Sequence, residues 1–141
     1  MKNKLIYLLA SPLILLCSEL SAQSSLTVNL NNLKTDTGFV EIGLFNKAKG
    51  FLKENHHFRK KRVKVTKKKM SYTFTDIPNG DYAIAVYHDE NANGITDKNF
   101  WGIPQERYGF SNNFRPKLSA PTFEQVKFFI KGDEDIYISL I

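Results

Sequence analysis

Residues 70–89 read MSYTFTDIPNGDYAIAVYHD, and the reading of this stretch decides the fold. Tyr72 and Phe74 alternate with Ser71, Thr73 and Thr75; after a short break, Tyr82, Ile84 and Val86 alternate with Ala83 and Ala85. A two-residue period sends successive side chains to opposite faces, which is the pattern of a half-buried strand. Asp76 to Asp81 is a turn between them: Pro78 fixes φ, and Asn79-Gly80 tolerate positive φ. The small residues Ala83 and Ala85 leave room for a neighbouring element to approach closely.

The same period extends in both directions. Leu26, Val28 and Leu30 alternate with Thr27, Asn29 and Asn31; after a turn at Lys34 to Gly38, Val40, Ile42 and Leu44 form a second strand, expected to pair with the first as a hairpin. Phe39 and Phe45 fall on its outer phase, so that face is expected to be partly covered. Asn46 to Lys61 loses the pattern and reads as a loop with one helical turn, with Phe51 tucked against the sandwich edge. Towards the C-terminus Val126, Phe128 and Ile130, then Ile136, Ile138 and Leu140, restore the alternation on either side of a polar hairpin turn at Lys131 to Asp135. The expectation is an all-β chain folded as a single antiparallel β-sandwich.

Length and composition agree with one domain. The chain has 141 residues and an apolar share of 42%, enough for one core. Its N-terminus reads as a signal peptide over residues 1–22: Lys2 and Lys4 precede an apolar run from Leu5 to Cys17, and Leu20-Ser21-Ala22 offers a cleavage site before Gln23. Residues 23–141 are then the mature β-sandwich domain, exported to the periplasm, the cell surface or the medium. Leu16 is not the small residue that a lipidated Cys17 needs before it, which argues against a lipoprotein. Cleavage after Ala22 removes the single cysteine, and with it any disulfide or Cys-based chemistry.

The net charge of +6 is concentrated in one place. Arg59, Lys60, Lys61, Arg62, Lys64, Lys67, Lys68 and Lys69 fall within eleven residues, and Val63 and Val65 carry a strand through them. One reading is a patch for an anionic glycan or another envelope component. The other is an edge strand protected by lysines against pairing with a second chain. Nucleic acid is not expected, because no aromatics are interleaved in the run for base stacking.

The long segment from His88 to Asn113, HDENANGITDKNFWGIPQERYGFSNN, breaks the alternation. Loops of this length in a compact domain are uncommon and usually functional. Asp89, Asn91, Asn93, Gly94 and Asp97 follow the spacing of an EF-hand-type calcium loop, with the carbonyl of Ile95 at the seventh position. Phe100 stands where the bidentate glutamate belongs, and only Asp89 and Asp97 are anions, so any calcium site is weak. The competing reading is an ion-free Asx-rich turn. Trp101, Glu106 and Tyr108 are the candidate ligand-binding residues, the two aromatics as a platform for sugar; burial as loop anchors is the alternative. No catalytic constellation is evident: there is no HExxH, nucleophile elbow or phosphate-cradling glycine loop. A hydrolase-like centre on His88, Asp89 and Glu106 is the reading left for an enzyme.

Two resemblances follow. The stretch from Phe74 to Ile84 resembles the "apolar-Pro-x-Gly-x-Tyr" hairpin of transthyretin-like and carboxypeptidase-regulatory-like sandwiches, which implies about seven strands in an immunoglobulin-like or prealbumin-like arrangement. The long segment looks like the hallmark of an uncharacterised family of exported bacterial proteins, a domain of unknown function. Its members carry a similar His-Asp-x-Asn-x-Asn-Gly…Asp loop followed by Gly-Ile-Pro-x-Glu-x-Tyr-Gly-Phe-Ser-Asn-Asn, matched here by Gly102 to Pro104, Glu106 and Tyr108 to Asn113. That resemblance implies a signal peptide and one β-sandwich domain, and brings no established substrate. Taken together, the sequence points to a secreted, non-catalytic binding or structural module, with a carbohydrate or anionic-glycan binder as the alternative.

Overall fold

The computed structural model describes residues 23–95, 100 and 104–141. The leader expected over residues 1–22 lies outside them, as do Asp97 and Trp101. Among the described residues eight strands are formed: β1 (Ser24–Asn31), β2 (Phe39–Phe45), β3 (Arg59–Lys64), β4 (Met70–Ile77), β5 (Gly80–Asp89), β6 (Tyr108–Phe110), β7 (Phe128–Ile130) and β8 (Glu134–Ser139). One helical turn, α1 (Phe123–Val126), precedes β7. The first sheet has the order β4-β1-β8; the second runs β3-β2-β5-β6, with β7 also paired to β5. Every pairing is antiparallel except β1 with β8, which is parallel. The all-β sandwich expected from the alternation is the fold.

The main core lies between the sheets. Leu26, Val28 and Leu30 of β1 meet Val40, Ile42 and Leu44 of β2, Ile84 and Val86 of β5, and Ile138 with Leu140, all essentially without solvent exposure. Those are the inward phases that the two-residue period marks.

The hairpins are corrected. The turns at Lys34 to Gly38, Asp76 to Asp81 and Lys131 to Asp135 all carry the chain from one sheet to the other, because β1, β4 and β8 share the first sheet while β2, β5 and β7 belong to the second. Turn residues dictate that the chain reverses, but which edge the next strand joins is settled by burial across the whole domain. At the Asp76 to Asp81 corner, β4 bulges with Asp76 in the left-handed region (φ 57). The buried Tyr82 donates its hydroxyl to the Pro78 carbonyl at 2.9 Å, tying the corner to the strand that follows it.

The second sheet carries a further layer on its outer face. Phe45, Ala83, Phe110, Phe123 and Val126 form a separate buried cluster, with Phe51 and Tyr108 packed against it. Phe51 sits edge-on to Phe45 (5.1 Å between ring centres) and to Phe123 (5.8 Å), so it packs on this face and not at the sandwich edge. The covering of the outer phase that Phe45 and the two alanines point to is real, and α1 with the 46–58 loop supplies it.

Candidate functional site

Three regions hold the residues that the sequence marks as chemical. The first is the loop after β5. Asp89 has no solvent exposure. Its Oδ1 accepts the Asn93 N–H (3.1 Å), and its Oδ2 accepts the Gly94 N–H (2.8 Å) together with the Arg62 guanidinium. Asn91 Oδ1 accepts from Asn93 N (3.1 Å), and Asn93 Oδ1 from Ile95 N (2.9 Å). The side-chain oxygens thus wind the loop around Asp89 as successive Asx turns, with Ala92 and Gly94 in the left-handed region. Burial works to raise the Asp89 carboxyl, but Arg62 and the two backbone N–H groups outweigh it and hold the group below the usual carboxylate range. Ile95 is exposed and offers only its backbone to the loop.

The trio His88, Asp89 and Glu106 does not form an open centre. His88 is fully buried on the inward phase, and its Nε2 donates to the Thr37 carbonyl at 2.8 Å. Asp89 projects to the opposite face of the strand, towards Arg62. Glu106, also buried, accepts the Glu90 N–H at 3.0 Å through Oε1. Each is engaged in holding backbone.

The second region is the basic run, and β3 is indeed an edge strand. Its two phases are used differently. Lys60 pairs with Glu41 (2.6 Å) and Glu54 (3.0 Å), and Arg62 with Asp89 and, at 3.8 Å, Glu41, while stacking over Phe39. Arg59 reaches across the open side of the sandwich to the carbonyls of Thr75 and Asp76 on β4, and Lys61 lies over the Tyr72 ring. Half of the run is therefore occupied within the molecule. Lys64, Lys67, Lys68 and Lys69 stay exposed.

The third region is a groove of about 710 Å³ on the outer face of the second sheet, and sequence reasoning named only Tyr108 in it. Its floor is the cross-strand pair Gly43 and Ala85, two of the smallest residues on that face. Phe45, His57, Tyr87 and Tyr108 stand around the floor, and the segment 116–120 forms the far bank. A Cβ on Gly43 would come within 2.8 Å of the His57 ring, so the glycine is what lets the imidazole lie over the floor, 4.6 Å from Phe45. Glu41 and Glu54 reach the rim. Burial holds the His57 imidazole below its ordinary range. Burial, reinforced by the Glu41 carboxylate, pushes the Tyr87 phenol up to about 12. The available signals were the outer-phase alanines and Phe45; nothing local could join them to His57 or to residues 116–120.

Among the described residues no helix is long and apolar enough to cross a membrane. Comparison with curated proteins and with solved structures yields no match. One family does match: residues 28–137 fit the family described as "uncharacterized protein conserved in bacteria" (DUF2141), and the chain belongs to it.

Proposed function

We propose that this protein is an exported, non-catalytic binding module that takes its ligand in the groove on the outer face of the second sheet. The observation carrying this reading is the groove itself. Ligand sites are typically concavities of ~300–1,000 Å³, mostly apolar with a few convergent polar groups. Here Gly43 and Ala85 keep the floor low, aromatic rings line it, and Glu41, Glu54 and His57 supply polar atoms. Export rests on the leader pattern of residues 1–22. A fragment screen followed by amide chemical shifts tests the site: hits are expected to perturb Gly43, Ala85, Tyr108 and residues 117–120. Shifts clustering elsewhere, or none, would sink the reading.

A second reading is favoured by the winding of the loop around Asp89. Asp89, Asn91, Asn93 and the Ile95 carbonyl, with Asp97, would hold calcium weakly. Arg62 already neutralises Asp89, and a cation entering beside a guanidinium meets repulsion, which places affinity at the low end. Thermal unfolding with millimolar calcium and with chelator decides it: an upward shift of several degrees that Asp89→Ala abolishes is the expected result. Superimposable curves would leave the loop as an ion-free scaffold.

A further inference from the structure

The chemical class of the ligand follows from how the groove's charges are arranged. Its carboxylates are matched from beneath by the edge strand. Lys60 bridges Glu41 and Glu54, and Arg62 adds a second contact to Glu41. The two carboxylates hold the Lys60 ammonium above its usual range against the effect of burial. Glu41 is nearly buried and Lys60 is one-third exposed, so this pair is preset on the sheet and not a loose surface contact. Counting Asp89, three carboxylates stand against Lys60 and Arg62, and Lys117 on the far bank brings the charges around the groove into balance, so it has no net charge to offer a cationic or anionic ligand.

What remains is a set of oriented hydrogen-bonding atoms beside aromatic faces. Paired carboxylates accept hydroxyl hydrogens strongly while their own charge is already compensated. Tyr and His rings give apolar faces with polar tips. A purely hydrocarbon ligand would cover the remaining acceptor lone pairs of Glu41 and Glu54 and the Tyr108 hydroxyl without hydrogen-bonding to them, at a cost for every desolvated group. We infer that the groove binds a neutral, hydroxyl-rich chain, an uncharged glycan whose C–H faces lie on Tyr108 and His57 and whose hydroxyls reach Glu41 and Glu54. The inference rests on the groove being the binding surface.

The test is titration calorimetry of the purified protein against four neutral hexasaccharides (cello-, xylo-, manno- and maltohexaose), a heparin-derived hexasaccharide and hexalysine. At least one neutral glycan is expected to bind, with less than twofold change between about 50 mM and about 500 mM salt, since no net charge is exchanged. Ala85→Leu fills the floor and should weaken binding by roughly tenfold or more, the equivalent of one excluded contact region. Glu54→Ala, on a side chain 68% exposed, leaves the fold intact and should weaken binding roughly fivefold through one lost charge-assisted hydrogen bond. Replacing Lys67, Lys68 and Lys69 by glutamine should change nothing. Preference for heparin fragment or hexalysine, lost in Ala85→Leu, would overturn the glycan class and keep the groove. Neutral-glycan binding indifferent to both groove variants would overturn the site and keep the class. No binding of any neutral glycan overturns the inference outright.

Discussion

Ser111 offers the sharpest test of how the outer layer is held. Strand β5 pairs on one side with β7 at Gly80 to Tyr82 and with β6 at Ala85 to Tyr87, which leaves a gap in the ladder between them. In that gap the Ile84 N–H has no strand partner and donates instead to Ser111 Oγ at 3.0 Å. The same hydroxyl donates to the Val126 carbonyl at the end of α1. Ser111 is 1% exposed, so the two groups it joins are out of reach of bulk solvent. Ser111→Ala therefore strands one buried donor and one buried acceptor. At ~1–3 kcal/mol for each unsatisfied group, the loss is about 3 kcal/mol. For a domain of this size, that lowers Tm by roughly 10–15 °C, at ~3–5 °C per kcal/mol. Urea unfolding gives the energy, with an unchanged slope expected. Native-state hydrogen exchange gives the location, because the Ile84 amide should accelerate beyond the global loss of stability. Ser119→Ala, on an exposed serine, is the control. A loss below about 0.5 kcal/mol, or an Ile84 amide still fully protected, would refute the assignment of Ser111 as the patch in the ladder.

Two further outcomes follow from the Asp89 region. Gly38 has φ 79, and a Cβ there would stand 2.2 Å from the Asp89 carbonyl oxygen; Gly132 has φ 90 with open space around it. Gly38→Ala should therefore cost clearly more than the ~1–2 kcal/mol of left-handed strain expected for Gly132→Ala, and equal costs in denaturant unfolding would remove the close approach from the account. The Asp89 carboxyl is held below its unfolded value, so it stabilises the fold above the ordinary carboxylate pKa of ~3.9 and that stability is lost as pH falls through the lower folded value. Unfolding measured between about pH 2 and 5 should show a shallower acid decline in Asp89→Asn than in the wild type, and parallel curves would contradict the shift.

The strands were legible because burial on one face leaves a period of two in the side chains themselves, as Leu26-Val28-Leu30 and Ile136-Ile138-Leu140 show. The connections were not. Nothing within Ile77-Pro78-Asn79-Gly80 says whether the next strand stays beside β4, whose outer edge is free, or crosses to the other sheet; that is settled by the pairing of β5 with β2 from earlier in the chain and with β6 and β7 from later in it. Asp89 was legible as an oxygen donor by its spacing to Asn91, Asn93 and Gly94, but its pairing with Arg62 came only from the register of β3 on β2 and β2 on β5. Tyr108 was picked from its place in the long segment, and its ring does reach the groove. Glu106, picked on similar grounds, went to the Glu90 backbone because it lies before the strand, where an unpaired N–H had to be satisfied.

The basic run and the groove are one construction seen from two sides. An edge strand needs charge to resist pairing with a second chain, and β3 has it. Yet its outer-phase residues Lys60 and Arg62 do not simply point into water: they fold over the sheet onto Glu41, Glu54 and Asp89. Were the outer face only a covered surface, Glu41 would be a poor residue for it, since a nearly buried carboxylate and its cation seldom stabilise more than an apolar pair of the same volume. A Leu in its place, packed on Tyr87 and the stem of Lys60, would continue the aromatic cluster around Phe45 and close the groove. The polar pair is retained near Ala85, a position where a larger side chain would fill the space. Glu41, Lys60 and Ala85, on β2, β3 and β5, thus depart together from what packing alone favours, all around the same cavity, and a ligand supplies a common reason for all three.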